Sequence, residues 1–189
     1  MPSGQDESRD ATPAEVEAAQ SGDRLAAERL ARGLLPRVRN LVRYLIRGDQ
    51  DVEDVVQDAL VAVLRGLGGY RGEGAFRAWA DRVVARSTFA WLDRRKTHAE
   101  RDLQALELSA AATDGAVDEY LDRRKMAEAL DRLPFEQRHA VVLHHVLEMS
   151  VPEIAEETRT PAETVRSRLR IGRLRLRELL SPNTARKVS

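Results

Sequence analysis

Apolar residues return along this chain at steps of three and four, and no alternating run of β-branched residues interrupts them. That period predicts an all-α fold. The best-patterned stretch is Val52, Val55, Val56, Ala59, Leu60, Val63, Leu64 and Leu67, a wide apolar face following the turn Gly48-Asp49-Gln50-Asp51, with Asp51 as an acidic N-cap. Upstream, Thr12-Pro13-Ala14-Glu15 has the form of a capping box with proline at the first helical position, where a missing N–H costs nothing. A second stripe begins near Asp23, runs through Leu25, Leu30 and Leu34 to Pro36, and continues through Val38, Leu41, Val42, Leu45 and Ile46. Proline removes a helical hydrogen bond, so a break or kink is expected at Pro36. Downstream, Gly66 to Gly74 reads as a glycine-rich loop, and a further helix is expected from about Ala75 to Lys96.

The pattern fails between His98 and about Asp118, where Ser109-Ala110-Ala111-Ala112-Thr113-Asp114-Gly115 has too little apolar surface to offset the cost of ordering. A flexible linker is expected there. Periodicity resumes with Leu121, Met126, Leu130 and Leu133, stops at Pro134, and continues through Ala140, Leu143 and Val146. Two further capping boxes, Ser150-Val151-Pro152-Glu153 and Thr160-Pro161-Ala162-Glu163, stand ten residues apart. The first helix they start can be only about two turns, while the second turns Val165, Leu169, Gly172, Leu176 and Leu179 inward. This is a helix-turn-helix. The chain therefore divides into an N-terminal helical bundle, residues 1–97, a linker, 98–118, and a C-terminal helix-turn-helix module, 119–189.

Charge changes this picture only when counted by segment. The formal total is zero, but residues 1–97 carry a net +1, residues 98–147 a net −4 and residues 148–189 a net +3. Arg166, Arg168, Arg170, Arg173, Arg175 and Arg177 crowd the second helix of the helix-turn-helix, a pattern that by itself fits a solvated charged face as well as the footprint of a nucleic-acid reader. With no cysteine there is no disulfide framework, thiolate zinc site or cysteine nucleophile. No stretch approaches the roughly 20 apolar residues that span a bilayer, and Met1 to Asp10 is polar and acidic rather than signal-like. A cytoplasmic protein without membrane insertion is expected. His139, His144 and His145 lack the His-Glu-x-x-His arrangement, so packing or surface roles are expected, with no metal and no cofactor. No carboxylate pair sits in a recognisable apolar pocket, so nothing anchors an enzyme reading.

The run from Leu147 to Glu156, followed by Thr160-Pro161-Ala162-Glu163-Thr164-Val165-Arg166-Ser167-Arg168-Leu169, resembles the promoter-binding region of extracytoplasmic-function sigma factors, which binds the minus-thirty-five element. The N-terminal half resembles the same family independently. Asp51-Val52-Glu53-Asp54-Val55-Val56-Gln57-Asp58-Ala59-Leu60 is similar to its polymerase-docking helix, and Tyr70-Arg71-Gly72-Glu73-Gly74-Ala75-Phe76-Arg77-Ala78-Trp79 to its loop and helix for the minus-ten element. Three departures stand out: Arg159 occupies the turn where the family usually has glycine, and Arg86 and Ala90 stand where it often has asparagine and aspartate. The promoter sequence therefore does not carry over from relatives.

The resemblance implies a transcription initiation factor whose partners are core RNA polymerase, promoter DNA and an anti-sigma factor. It places the polymerase contact on Glu53, Asp54, Gln57 and Asp58, where charge would speed encounter and fix register. For the minus-ten region it implies single-strand binding, with Tyr70, Arg71, Arg77, Arg82 and Arg86 meeting bases or phosphates. On the basic helix, burial of Val165, Leu169 and Gly172 turns Glu163, Arg166, Ser167 and Arg170 toward the groove, while Arg168, Arg173, Arg175 and Arg177 suit phosphates. Two alternatives keep the fold but change the function: a stand-alone helix-turn-helix regulator, and a helical adaptor that binds no DNA.

Overall fold

The computed structural model describes residues 10–99 and 117–181, and every regular element among them is helical. In chain order these are α1 (Pro13–Gln20), α2 (Arg24–Leu45), α3 (Val52–Gly66), a short 3-10 turn (Leu67–Gly69), α4 (Phe76–Ala99), α5 (Val117–Asp131), α6 (Phe135–His145), α7 (Val151–Glu157) and α8 (Ala162–Leu180). Two compact units result: Met1–Val42 with Asp49–Ser109, and Arg43–Gly48 with Ala110–Ser189. The expected linker falls mostly on residues 100–116, outside the described residues, and its edges at 98–99 and 117–118 are helical.

In the first unit, Val55, Val56, Ala59 and Val63 form the buried stripe of α3, which packs on α4, where Ala80, Val84 and Ala85 are buried. The α1 capping box forms: Glu15 N–H donates to Thr12 Oγ1 at 3.3 Å, and Thr12 N–H to the Glu15 carboxylate at 2.8 Å. Asp23 caps α2 through the N–H groups of Leu25 and Ala26.

Pro36 does not end its helix. It lies inside α2 on an exposed position, next to the turn that begins at exposed Arg32, so water can satisfy the carbonyl it orphans. Buried Leu34, Val38, Leu41 and Val42 hold the helix together on either side, each contributing roughly 1.5 to 3 kcal/mol against a proline cost of about 3 kcal/mol. Asp51 does not cap α3 either; its carboxylate pairs with Arg95 of α4 instead. The buried Asp81 of α4 takes a two-pronged ion pair from Arg37 of α2, with Arg37 Nε 2.8 and 2.9 Å from its two oxygens.

In the second unit, α8 packs across α5, α6 and α7, with Leu130, Leu133, Val142, Leu143 and Ile154 among the most buried side chains. The Ser150 box forms as expected, Ser150 N–H reaching the Glu153 carboxylate at 2.8 Å. The Thr160 box does not. Pro161 takes the N-cap position of α8, which leaves the Thr160 hydroxyl to donate to Thr158 O at 3.1 Å and to accept from Arg168 at 3.3 Å. Asp131 gathers Arg43 and the buried Arg138; burial first, with the charges of Arg43 and Arg47 beside it, holds the Arg138 guanidinium below its ordinary pKa, and the Asp131 carboxylate opposes that shift. His139 packs its ring on Phe135, and His144 Nδ1 lies 2.8 Å from Met149 O, which are packing roles. Burial first, then His144 and Arg173, push His145 below its ordinary pKa.

Candidate functional site

Three exposed faces carry the chemistry, two on the first unit and one on the second. On α3, burial of the valine stripe forces Glu53, Asp54, Gln57 and Asp58 outward, and all four are exposed. Glu53 is already engaged: Arg39 Nε and Nη2 donate to its two oxygens at 2.7 and 2.9 Å, and that hydrogen bonding holds the Glu53 carboxyl below its usual range. Asp54, Gln57 and Asp58 have no side-chain partner among the described residues. Val61 continues their face one turn on and is exposed at 38%, unusual for a valine. Asp54, Gln57, Asp58 and Val61 thus form a stripe of acid, amide, acid and methyl groups at helical spacing. The sequence held the signal for Val61, because position 61 follows 54 and 58 in the outward register.

The glycine-rich loop is built from its two ends. The Gln20 side-chain amide, at the end of α1, donates to Leu67 O at 2.8 Å and to Tyr70 O at 2.9 Å, fixing where the loop starts. Tyr70 closes it by donating its hydroxyl to Gly74 O at 2.7 Å, while its ring packs on Phe76 and Trp79 with centroids 5.4 and 5.5 Å away. Gly72 and Gly74 take φ values of 77° and 84°, which glycine adopts freely. Arg71 and Glu73 project from the tip, exposed. On α4, Arg82, Arg86 and Ala90 share one outward row at four-residue spacing, so both departures of this helix lie on the row that Arg82 begins. Arg77 is half-buried, and its N–H is capped by Asp10 at 3.1 Å. Asp10 and Gln20 carry no local signal in the sequence, since they act on residues 67, 47 and 50 positions away.

The third face belongs to α8. Val165, Leu169 and Gly172 are buried, and Glu163, Arg166, Ser167 and Arg170 are exposed together at spacings of three, four and seven. Glu163 and Arg166 pair with each other at 2.9 Å, whereas Ser167 and Arg170 have no side-chain partner among the described residues. The remaining arginines differ from one another. Arg173 and Arg177 are exposed, Arg175 donates to the Gln137 side chain at 3.0 Å, and half-buried Arg168 bends back to Thr160. Among the described residues, no group of three or more His, Cys, Asp or Glu could hold a metal ion, and no helix is long and apolar enough to cross a membrane.

Residues 30–98 match the family model for sigma-70 region 2, and residues 123–176 match that for sigma-70 region 4. Over 160 residues the chain is 33% identical to the ECF RNA polymerase sigma factor SigM of Mycobacterium tuberculosis, covering 85% of this chain and 80% of that one. It is 31% identical over 166 residues to the ECF RNA polymerase sigma-E factor of Escherichia coli, covering 82% and 86%. Among solved structures it is similar to the sigma factor RpoE of Bartonella quintana in complex with the anti-sigma factor NepR, with a TM-score of 0.62 at 23% identity over 82% of this chain and 97% of that one. It is similar also to CnrH in complex with the cytosolic domain of CnrY, with a TM-score of 0.55 at 24% identity over 88% and 95%. At those identities the structural likeness speaks for the fold.

Proposed function

Because this chain belongs to the extracytoplasmic-function group of sigma-70 factors, and so serves transcription initiation by binding core RNA polymerase and promoter DNA, we propose how its residues divide that work. Residues 1–97 form the module that docks on polymerase and holds the minus-ten element, and residues 119–189 form the module that reads the minus-thirty-five element. The family acts by binding rather than by bond-making. Its place of action is the cytoplasm, where its polymerase and template are, and an anti-sigma protein, the kind of partner named for the Bartonella neighbour, is its antagonist.

Docking falls to Asp54, Gln57 and Asp58, with Glu53 contributing through its pair with Arg39. The observation that carries this is that three polar groups stand exposed on the outward face of a well-packed helix, without side-chain partners among the described residues. Helix-dipole stabilisation accounts for Glu53 and Asp54 in the first turn of α3 but fades beyond it, so Gln57 and Asp58 are the discriminating pair. At the minus-ten element, Arg71 at the loop tip and Arg82 and Arg86 on α4 meet phosphates or unstacked bases, with Arg77 beside them. Tyr70 supplies a ring edge from within the aromatic cluster. On α8, Arg170 and Ser167 read base edges, Glu163 and Arg166 exchange their mutual pair for DNA contacts, and Arg173 and Arg177 meet phosphates. Arg168 and Arg175 reach phosphates only by leaving Thr160 and Gln137.

The test adds the chain to core polymerase in a promoter-directed transcription assay and titrates core binding in parallel. Wild-type chain should confer initiation, which neither a stand-alone regulator nor an adaptor can do. The double variant Gln57→Ala, Asp58→Ala should bind core polymerase at least about tenfold more weakly, a loss of roughly 1.4 kcal/mol, with its helical circular dichroism unchanged. Unaltered core affinity in that variant would remove the docking assignment.

A further inference from the structure

The turn between α7 and α8 is closed by two backbone hydrogen bonds: Arg159 N–H donates to Glu156 O at 3.2 Å, and Thr160 N–H to Ala155 O at 2.9 Å. This pairing ends a helix on one residue in the left-handed region, and Arg159 takes that position with a φ of 49°. The end of α1 uses the same pairing, Gly22 N–H to Ala19 O and Asp23 N–H to Ala18 O, but there the left-handed residue is glycine, with a φ of 93°. Glycine adopts this conformation without strain, while the Cβ of any other residue crowds its own carbonyl. Local stability therefore favours glycine at 159 as it does at 22.

Nothing among the described residues offsets the strain. The Arg159 side chain is exposed and makes no hydrogen bond or ion pair among the described residues. Its cationic neighbours are engaged, Arg166 with Glu163 and Arg168 with Thr160. A free guanidinium thus stands where the chain passes from the first helix of the helix-turn-helix to the second. In that motif the first helix crosses the phosphate backbone and the leading residues of the second enter the groove, so the residue joining them lies at the groove's rim, beside phosphates. Strain kept at one residue by an unemployed, phosphate-matched side chain points to a contact made only in the complex.

We propose that Arg159 is a DNA-phosphate contact, gripping the backbone at the edge of the groove that α8 enters, and that the strained turn is retained for it. This rests on the reading of α7 and α8 as the promoter-reading helices. Binding of the full chain to a random-sequence duplex, followed across a series of salt concentrations and alongside thermal unfolding, tests it, because a phosphate contact needs no particular sequence. Arg159→Asn and Arg159→Gly should each bind about fivefold more weakly, as loss of one charge-assisted bond requires. Their plots of log affinity against log salt should be shallower by about 0.9. Both variants should also unfold at a temperature a few degrees higher, because asparagine and glycine relax the turn. Arg159→Lys should keep the salt slope.

Unchanged affinity and slope in Arg159→Asn would overturn the contact. Weaker binding accompanied by a lower unfolding temperature in both relaxed variants would also overturn it, since the arginine would then hold the fold rather than the DNA. A wild-type chain that binds no duplex at all would remove the reading of α8 itself, and the proposal with it.

Discussion

Two carboxylates of the first unit, Glu53 and Asp81, each hold an arginine in two-pronged fashion, yet water makes them very different. The Glu53 side chain is 65% exposed, so its attraction to Arg39 is screened and both side chains lose rotamer freedom to keep it. Glu53→Gln should therefore lower stability by less than about 1 kcal/mol in urea unfolding at neutral pH. The pair holds the folded pKa of Glu53 down, so its contribution is complete above the unfolded value near 4.5 and is lost as pH falls through the folded one. The difference between variant and wild type should accordingly vanish in acid. Asp81 is only 4% exposed and faces Arg37 from inside the unit. Asp81→Asn should cost about 3 kcal/mol in the same measurement, because it removes the charge of the buried member of the pair. A cost for Asp81→Asn no greater than for Glu53→Gln would contradict this account. Neither pair is legible in the sequence, since their partners stand 14 and 44 positions apart and no local pattern connects them.

At the scale of elements, α8 shows how much of a site a period can specify. The recurrence of Val165, Leu169 and Gly172 fixes which residues face inward, and through them that Glu163, Arg166, Ser167 and Arg170 face outward. What the period does not reveal is how close the partner helix lies. A Cβ at Gly172 would come within 2.9 Å of a Val141 methyl and 3.3 Å of Gln137 O on α6. Gly172→Ala gains about 1 kcal/mol of helix propensity but meets a stiff, buried, β-branched side chain, an overpacking cost of roughly 1 to 3 kcal/mol. A net loss of stability is expected in thermal unfolding, and it should shrink when Val141→Ala opens the space. Equal losses in both backgrounds would mean that the two residues do not oppose each other. Helix ends were legible where a cap competes with nothing, as at Thr12 and Ser150. They were not where tertiary partners intervene: Asp51 is drawn to Arg95, Thr160 yields its position to Pro161, and Pro36 is absorbed because its neighbours are anchored.

Across the molecule, a formal charge of zero conceals exposed carboxylates on α3 in one unit and exposed arginines on α8 in the other, so the chain offers surfaces of different sign to its partners. The order of the two matched regions along the chain was legible because each region carries its own motif. The joinery that makes the loop a site was not. Asp10 caps the start of α4, and Gln20 holds the carbonyls of Leu67 and Tyr70 at the mouth of the loop. These contacts couple α1 to the loop, and coupling between binding equilibria is reciprocal. If the strand of DNA proposed for the loop orders it, the free energy spent there returns, through Gln20, as tighter seating of α1. Amide hydrogen exchange in α1 should therefore slow when single-stranded DNA binds, and Gln20→Ala should abolish that slowing more than it weakens binding. If exchange in α1 ignored the DNA, the clamp would be only a spacer. Read the other way, any protein that grasps the first helix and pulls Gln20 from its carbonyls would loosen the glycine-rich loop without ever touching it.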